Sequence, residues 1–252
     1  MNALQVTNLT KTFGGLQTLC GISLSLEEGE RRVILGPNGA GKTTLFHTIS
    51  GVHAATSGTV ELFGRDVTTL APHRRVRLGL GRTFQITNLF PELTVFETLF
   101  LGAQAHEKGR FVFYRPASSC RRVVAQVEEL LEQWNLRAIQ NDRVKHLSYG
   151  QQRQLEVVLA MAAKPRLLLL DEPTAGLSPA ETVSMTAFLA SLGRDITILM
   201  IEHDMDVAFG IADRITVLYF GTVLTEGLPS EVQGDQRVMD IYLGEQQWEA
   251  IV

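Results

Sequence analysis

The chain of 252 residues predicts an α/β fold with a mostly parallel core sheet and a smaller antiparallel β part at its N-terminus. Three observations predict it. Short apolar runs at Arg32–Leu35, Leu167–Leu170 and Thr197–Ile201 alternate with segments of helical spacing, the pattern of strands covered on both faces. A glycine-rich stretch, Gly36 to Thr44, joins the first of these runs to a helix-like segment. Before it, Leu4–Val6 and Gly21–Leu26 alternate apolar and polar residues, as half-buried antiparallel strands do.

Taken in order, the Glu27–Glu30 cluster is a turn between the second and third strands, and Lys42–Ser50 reads as a helix ended by Gly51. Thr59–Phe63 is a further strand that turns at Gly64–Asp66. Leu93–Leu101 opens a helix with Thr94 as N-cap and Glu97 three residues on. From Val123 to Trp134, apolar residues at 123, 124, 127, 130, 131 and 134 mark one buried helical face. Ser148 is placed to cap the helix ended by Pro165, and Ser178 with Glu181 forms a second capping box behind Pro179. Arg214–Thr225 reads as a hairpin about Gly221, and short helical pieces finish the chain.

Composition narrows the function. A 45% hydrophobic content supplies a core, and a net charge of −4 argues against a general nucleic-acid binder. Two cysteines, Cys20 and Cys120, make no disulfide framework and fit a reducing cytosol. The six histidines have no metal-ligand spacing. No apolar run approaches the roughly 18 residues of a membrane span, and the N-terminus lacks signal-peptide character, so any service to a membrane is expected from the cytosolic side through partners.

The chemistry begins at Gly36-Pro-Asn-Gly-Ala-Gly-Lys-Thr-Thr44, which fits G-x-x-x-x-G-K-[ST]. Glycines let successive backbone N–H groups converge on one anion, and the helix that follows adds its positive end. Lys42 can reach the outer phosphates and the Thr43 hydroxyl can ligate Mg²⁺. Four apolar residues ending in Asp171-Glu172 supply the second requirement of a P-loop ATPase. One carboxylate orients the metal shell and its neighbour activates water. Together, loop and acid pair indicate nucleotide hydrolysis with ATP and Mg²⁺.

With its remaining motifs the sequence resembles, over nearly its whole length, the ATP-binding subunit of an ABC transporter. Leu147-Ser-Tyr-Gly-Gln151 looks like that family's signature motif. The resemblance implies one ATPase domain over 1–252 with a helical signature-bearing subdomain at about 86–163. It implies Gln85 as the Q-loop residue that senses γ-phosphate and metal, Asp171 as the metal ligand, Glu172 as base and His203 as the switch histidine. Phe13, which the pattern places in a loop and which would ordinarily be core, falls where an aromatic stacks on adenine. Gly36, Pro37, Asn38, Gly39, Ala40, Gly41, Lys42, Thr43 and Thr44 would hold one face of ATP. Ser148, Gly150 and Gln151 would serve a nucleotide across a head-to-tail dimer.

Arg82-Thr-Phe-Gln85, Tyr149-Gly-Gln-Gln152, Ala175-Gly-Leu-Ser-Pro179, Ile201-Glu-His-Asp-Met205 and Ile241-Tyr-Leu-Gly-Glu245 resemble the branched-chain amino-acid importer type. So does the basic, aromatic excursion at 106–122, which is similar to that of the larger of that system's two ATPase subunits. On composition alone this excursion is either a solvated surface loop or a contact for a membrane partner or acidic headgroups. Two positions depart from the general pattern: Tyr149 replaces a signature glycine, and Ser178 stands where the D-loop usually has Asp. The implied partners are a second ATPase subunit (a heterodimer is favoured over a homodimer), transmembrane permeases and, indirectly, a solute-binding protein. The implied place is the cytoplasmic face of the membrane. A soluble ABC protein of translation, repair or regulation is the rival, but such proteins usually fuse two ATPase units or carry long coiled coils.

Overall fold

The computed structural model describes residues 1–83, 89–105 and 121–249. Its first strands, β1 (Asn2–Phe13) and β2 (Leu16–Glu27), pair antiparallel and are longer than the alternation alone indicates. Register shifts and Asn8 at φ 48° interrupt the period-two pattern, so only part of each strand is visible in the sequence. Phe13 is therefore the last residue of a strand, not part of a loop.

β3 (Arg31–Leu35) is buried at every residue and feeds the glycine-rich loop into α1 (Lys42–Ile49). The helix stops at Ser50, and Gly51 turns away at φ 81°. β4 (Ser57–Leu62) pairs with β1, and β5 (Arg65–Asp66) folds back on it. A short helix, α2 (Pro72–Val76), and a short strand, β6 (Leu80–Arg82), occupy a stretch whose charge hides both in the sequence. α3 (Val95–Ala105) carries its expected box. The Thr94 N–H donates to Glu97 Oε2 at 2.8 Å, and the Glu97 N–H donates to Thr94 Oγ1 at 3.1 Å.

α4 (Arg121–Gln133) buries Val123, Val127, Leu130 and Leu131, while Val124 is half-buried. Then come α5 (Tyr149–Met161), β7 (Leu167–Asp171), α6 (Pro179–Ser191), β8 (Thr197–Ile201) and α7 (Met205–Ile211). Strands β9 (Arg214–Tyr219) and β10 (Thr222–Gly227) form the expected hairpin through Phe220-Gly221. The chain closes with α8 (Pro229–Gln233) and α9 (Gln236–Glu249); at 14 residues the last helix exceeds the short pieces that the pattern indicates.

The strands make two sheets, one in the order β2-β1-β4-β5 and one in the order β10-β9-β3-β8-β7-β6. The first is antiparallel; the second is parallel except for β10 against β9. Side chains of the central strands divide between two cores by simple alternation. Val33, Leu168, Leu170, Ile198 and Met200 face the layer of helices that includes α3, α4 and α5. Ile34, Leu167, Leu169, Leu199 and Ile201 face α1 and the antiparallel sheet.

One row across the parallel sheet positions the functional segments. Ile201 pairs with Ile34 on one side and with Asp171 on the other. The glycine-rich loop, the acid pair and the Glu202-His203 segment thus leave three adjacent strands at the same level.

Behind α1, Arg75 is 1% exposed. Its guanidinium donates to the carbonyls of Thr48 and Ile49 at 2.9 and 2.6 Å, and to those of Leu70 and Thr68 at 2.9 and 3.0 Å. The open C-terminal carbonyls of the loop's helix are thereby satisfied by a buried cation. Among the described residues no helix is long and apolar enough to cross a membrane.

Candidate functional site

The loop from Gly36 to Thr44 is shaped by close backbone approaches. A Cβ on Gly36 would lie 2.2 Å from the Leu218 carbonyl oxygen, so only glycine fits where β9 crowds the loop. Gly41 sits at φ 101°, with the Thr18 carbonyl oxygen 2.8 Å from where its Cβ would be, and serves as N-cap of α1 without a side-chain bond to the helix. The first N–H groups of α1 therefore have no capping side chain, which suits them to an anion. Lys42 is buried, and its Nζ donates to the carbonyls of Gly36 at 2.5 Å and Pro37 at 3.1 Å. The ammonium spans the mouth of the loop and is held there by backbone oxygens. The Thr43 and Thr44 side chains are half-buried on the first turn.

Asp171 ends β7 at 2% exposure. Arg82 Nη2 lies 3.4 Å from its Oδ2, and its backbone N–H donates to Thr83 Oγ1 at 3.4 Å. Its Oδ1 has no partner among the described residues. Burial raises its pKa, the Arg82 charge opposes that, and neighbouring Glu172 adds to it. Glu172 follows at φ 48°, a left-handed backbone that non-glycine residues rarely adopt, with its N–H donating to the Ile201 carbonyl at 3.0 Å.

A residue outside the expected catalytic and binding set organises the next strand end. Glu202 is wholly buried and accepts from the Thr174 hydroxyl at 2.8 Å, the Thr174 N–H at 3.3 Å and the His203 N–H at 3.3 Å. Burial pushes its pKa up, against those hydrogen bonds. It ties the loop after the acid pair to the base of His203, whose side chain is 60% exposed. An acid directly after the apolar run Ile198–Ile201 is the signal the sequence offers.

Phe13 is 40% exposed, edge-on to His53 at 5.1 Å, with Lys11 Nζ 4.7 Å from its ring centre. Gln85 and residues 106–120 lie outside the described residues.

Ser148, Gly150 and Gln151 sit together at the start of α5, where Ser148 and Gln151 form a reciprocal cap. The Gln151 side chain is thus engaged with its own helix start. The Gly150 N–H donates to Glu181 Oε1 at 3.3 Å. These three residues line a groove with Glu181, Ser184 and Phe188, and no loop residue from 36–44 lines it with them. Loop, acids and His203 are assembled by one sheet, whereas the groove at Ser148 is lined by residues of α5 and α6.

The family model described as ABC transporter matches residues 19–175. The chain is 39% identical to the high-affinity branched-chain amino acid transport ATP-binding protein BraF of Pseudomonas aeruginosa, over 96% of this chain and 98% of that one. It is 41% identical, with the same coverage, to the LivG protein of that description from Salmonella typhimurium. A solved ATP-binding cassette of an ABC transporter in its ADP conformation superposes at a TM-score of 0.88 with 30% identity, covering 97% of this chain and 99% of that chain. A dimeric cassette in a post-hydrolysis state bound to ADP and Pi superposes at 0.73 with 28% identity, covering 90% and 98%.

Proposed function

The chain belongs to the ABC transporter family, and from that premise we propose that it hydrolyses ATP as the energy-coupling subunit of an importer for branched-chain amino acids or a related small polar solute. The observation that carries the reading is the level shared by the Gly36–Thr44 loop, Asp171-Glu172 and Glu202-His203 at the ends of three adjacent strands. The whole of 1–252 is read as one ATPase unit whose helical part spans about 86–163.

The N–H groups of the loop and the start of α1 bind the phosphates, and Lys42 turns from the Gly36 and Pro37 carbonyls toward them. The exposed Phe13 ring offers a face for the base. The residues present fit a magnesium ion, because Asp171 keeps one buried oxygen unpaired at the strand end level with the loop that carries the hydroxyl of Thr43. Asp171, Thr43 and Gln85 would hold the ion, which when bound neutralises charge on the terminal phosphates. Glu172 accepts the proton of the attacking water. His203, anchored at its backbone by Glu202, stands ready to contact the γ-phosphate.

Because Ser148, Gly150 and Gln151 line a groove to which no residue of the 36–44 loop contributes, they are assigned to the nucleotide of a second ATPase subunit, in a heterodimer with a homologue. An apolar groove lined by Val76, Leu80, Leu89, Leu101, Leu159 and the exposed Phe90 supports docking of a permease on the α3 side. The subunit then sits peripherally on the cytoplasmic face of the membrane, with the solute-binding protein met only through the permease.

The test is Glu172→Gln. ATP binding should persist while turnover falls by ~10²–10⁴-fold, the worth of a general base. Unchanged turnover would remove Glu172 from that role.

A further inference from the structure

The Ile241–Glu245 segment, distinctive in the sequence, has no part in the function so far. Its Tyr242 lies on α9, and its phenol oxygen accepts the backbone N–H of Gly36 at 2.9 Å across a separation of 206 residues. Gly36 is buried, and the Leu218 carbonyl closes one side of it. A buried N–H must find a partner, and here it comes from the C-terminal helix. The Gly36 carbonyl meanwhile accepts from Lys42 Nζ. The first glycine of the loop is thus gripped by α9 at its N–H and by the phosphate lysine at its carbonyl. The half-buried Tyr242 ring packs against the core on the helical side of the parallel sheet, so packing fixes the aim of its hydroxyl.

We propose that Tyr242 is a positioning residue for the phosphate loop, and that through it nucleotide binding and the docking of α9 are coupled. This rests on the nucleotide reading above. A loop that binds phosphate must hold its N–H groups convergent before the ligand arrives. Without the phenol oxygen, Gly36 has an unpaired buried donor, and the chain relieves it by leaving that backbone conformation. The apparent affinity falls by the factor by which the competent fraction falls, while occupancy at saturation is restored. Linkage runs both ways, so nucleotide must tighten α9 in turn.

Tyr242→Phe tests this in the full chain, because it removes one oxygen and keeps the ring. Titration with a fluorescent ATP analogue, and steady-state hydrolysis with the second ATPase subunit present, should show Kd and KM raised about tenfold, with kcat at saturating ATP within about twofold of the parent. In the unaltered protein, ATP should slow hydrogen exchange across residues 236–242, and Tyr242→Phe should abolish that slowing. Parental Kd and KM in the variant would overturn the proposal even if its Tm fell, since the bond would then be structural only. Exchange in 236–242 indifferent to ATP in the unaltered protein would overturn the coupling without recourse to any variant. Failure of the unaltered protein to bind ATP better than Lys42→Ala would instead strike the nucleotide reading itself.

Discussion

Arg82 Nη2 stands 3.4 Å from Asp171 Oδ2 while Nη1 of the same guanidinium donates to Ser50 Oγ at 2.8 Å. One cation thereby joins β6, the acid at the end of β7 and the residue that ends α1. It occupies one carboxylate oxygen and leaves the other for a ligand. Arg82→Gln should loosen Asp171 and lower the Mg²⁺-dependent part of nucleotide affinity by about 10–100-fold. Affinity measured in EDTA should stay near the parent value. Equal Mg²⁺ dependence in both proteins would show that Asp171 needs no such brace.

Arg75→Met is expected to be the most damaging change outside the site. The guanidinium serves four carbonyls, two of them at the end of α1, and almost none of it meets water. Methionine retains bulk but leaves those oxygens short of a donor, for a loss of about 3–5 kcal/mol in urea denaturation. A loss under about 1 kcal/mol would mean that water replaces the cation.

Asp213 gives a pH-dependent term. It accepts the Arg31 N–H at 2.8 Å and pairs with both Nη atoms of Arg194. Burial alone would raise its pKa, but the Arg194 hydrogen bond, the Arg31 N–H and both arginine charges outweigh that and hold it below the usual value. A carboxyl depressed in the folded state stabilises the protein above its unfolded pKa, and that contribution disappears as pH falls through the folded one. Asp213→Asn should thus cost roughly 1 kcal/mol at pH 7, modest because Arg194 is exposed. The difference from the parent should shrink below about pH 4, as thermal melts across pH would record.

Ser148→Arg should abolish ATP-induced pairing and leave the subunit folded. Losing the cap of α5 costs about 1 kcal/mol, too little to unfold a domain. Sedimentation with ATP, on the slowly hydrolysing Glu172→Gln background and with the second ATPase subunit present, would read the pairing directly. A persistent ATP-induced complex would exclude Ser148 from the shared site.

Local chemistry was legible and distant pairing was not. The loop at 36–44 and the acids at 171–172 each declare themselves within ten residues, because phosphate binding and strand-end carboxylates need contiguous chain. The caps at Thr94, Ser148 and Ser178 were equally readable, since a cap spans three residues, whereas the reciprocal bond from Gln151 that makes a box at Ser148 is seen only in the structure. Arg75 and Arg82 look like solvated charge in a basic stretch, and only folding brings them to α1 and Asp171. Phe13 was misplaced because Asn8 and the register shifts of β1 break the alternation before reaching it. Tyr242 and Glu202 lie in recognisable stretches, but their roles follow only from the distant residues they touch, Gly36 and Thr174.

The row Ile34–Ile201–Asp171 acts as a ruler marked in backbone. Two strand spacings, roughly 10 Å, separate the loop's strand from that of the acids, and no side chain sets that length. Exchanging one apolar residue for another along these strands alters stability while leaving the span untouched. Inserting a single residue into β3, β7 or β8 would turn its strand end to the opposite face, and the instrument would lose its zero with every reactive group still present.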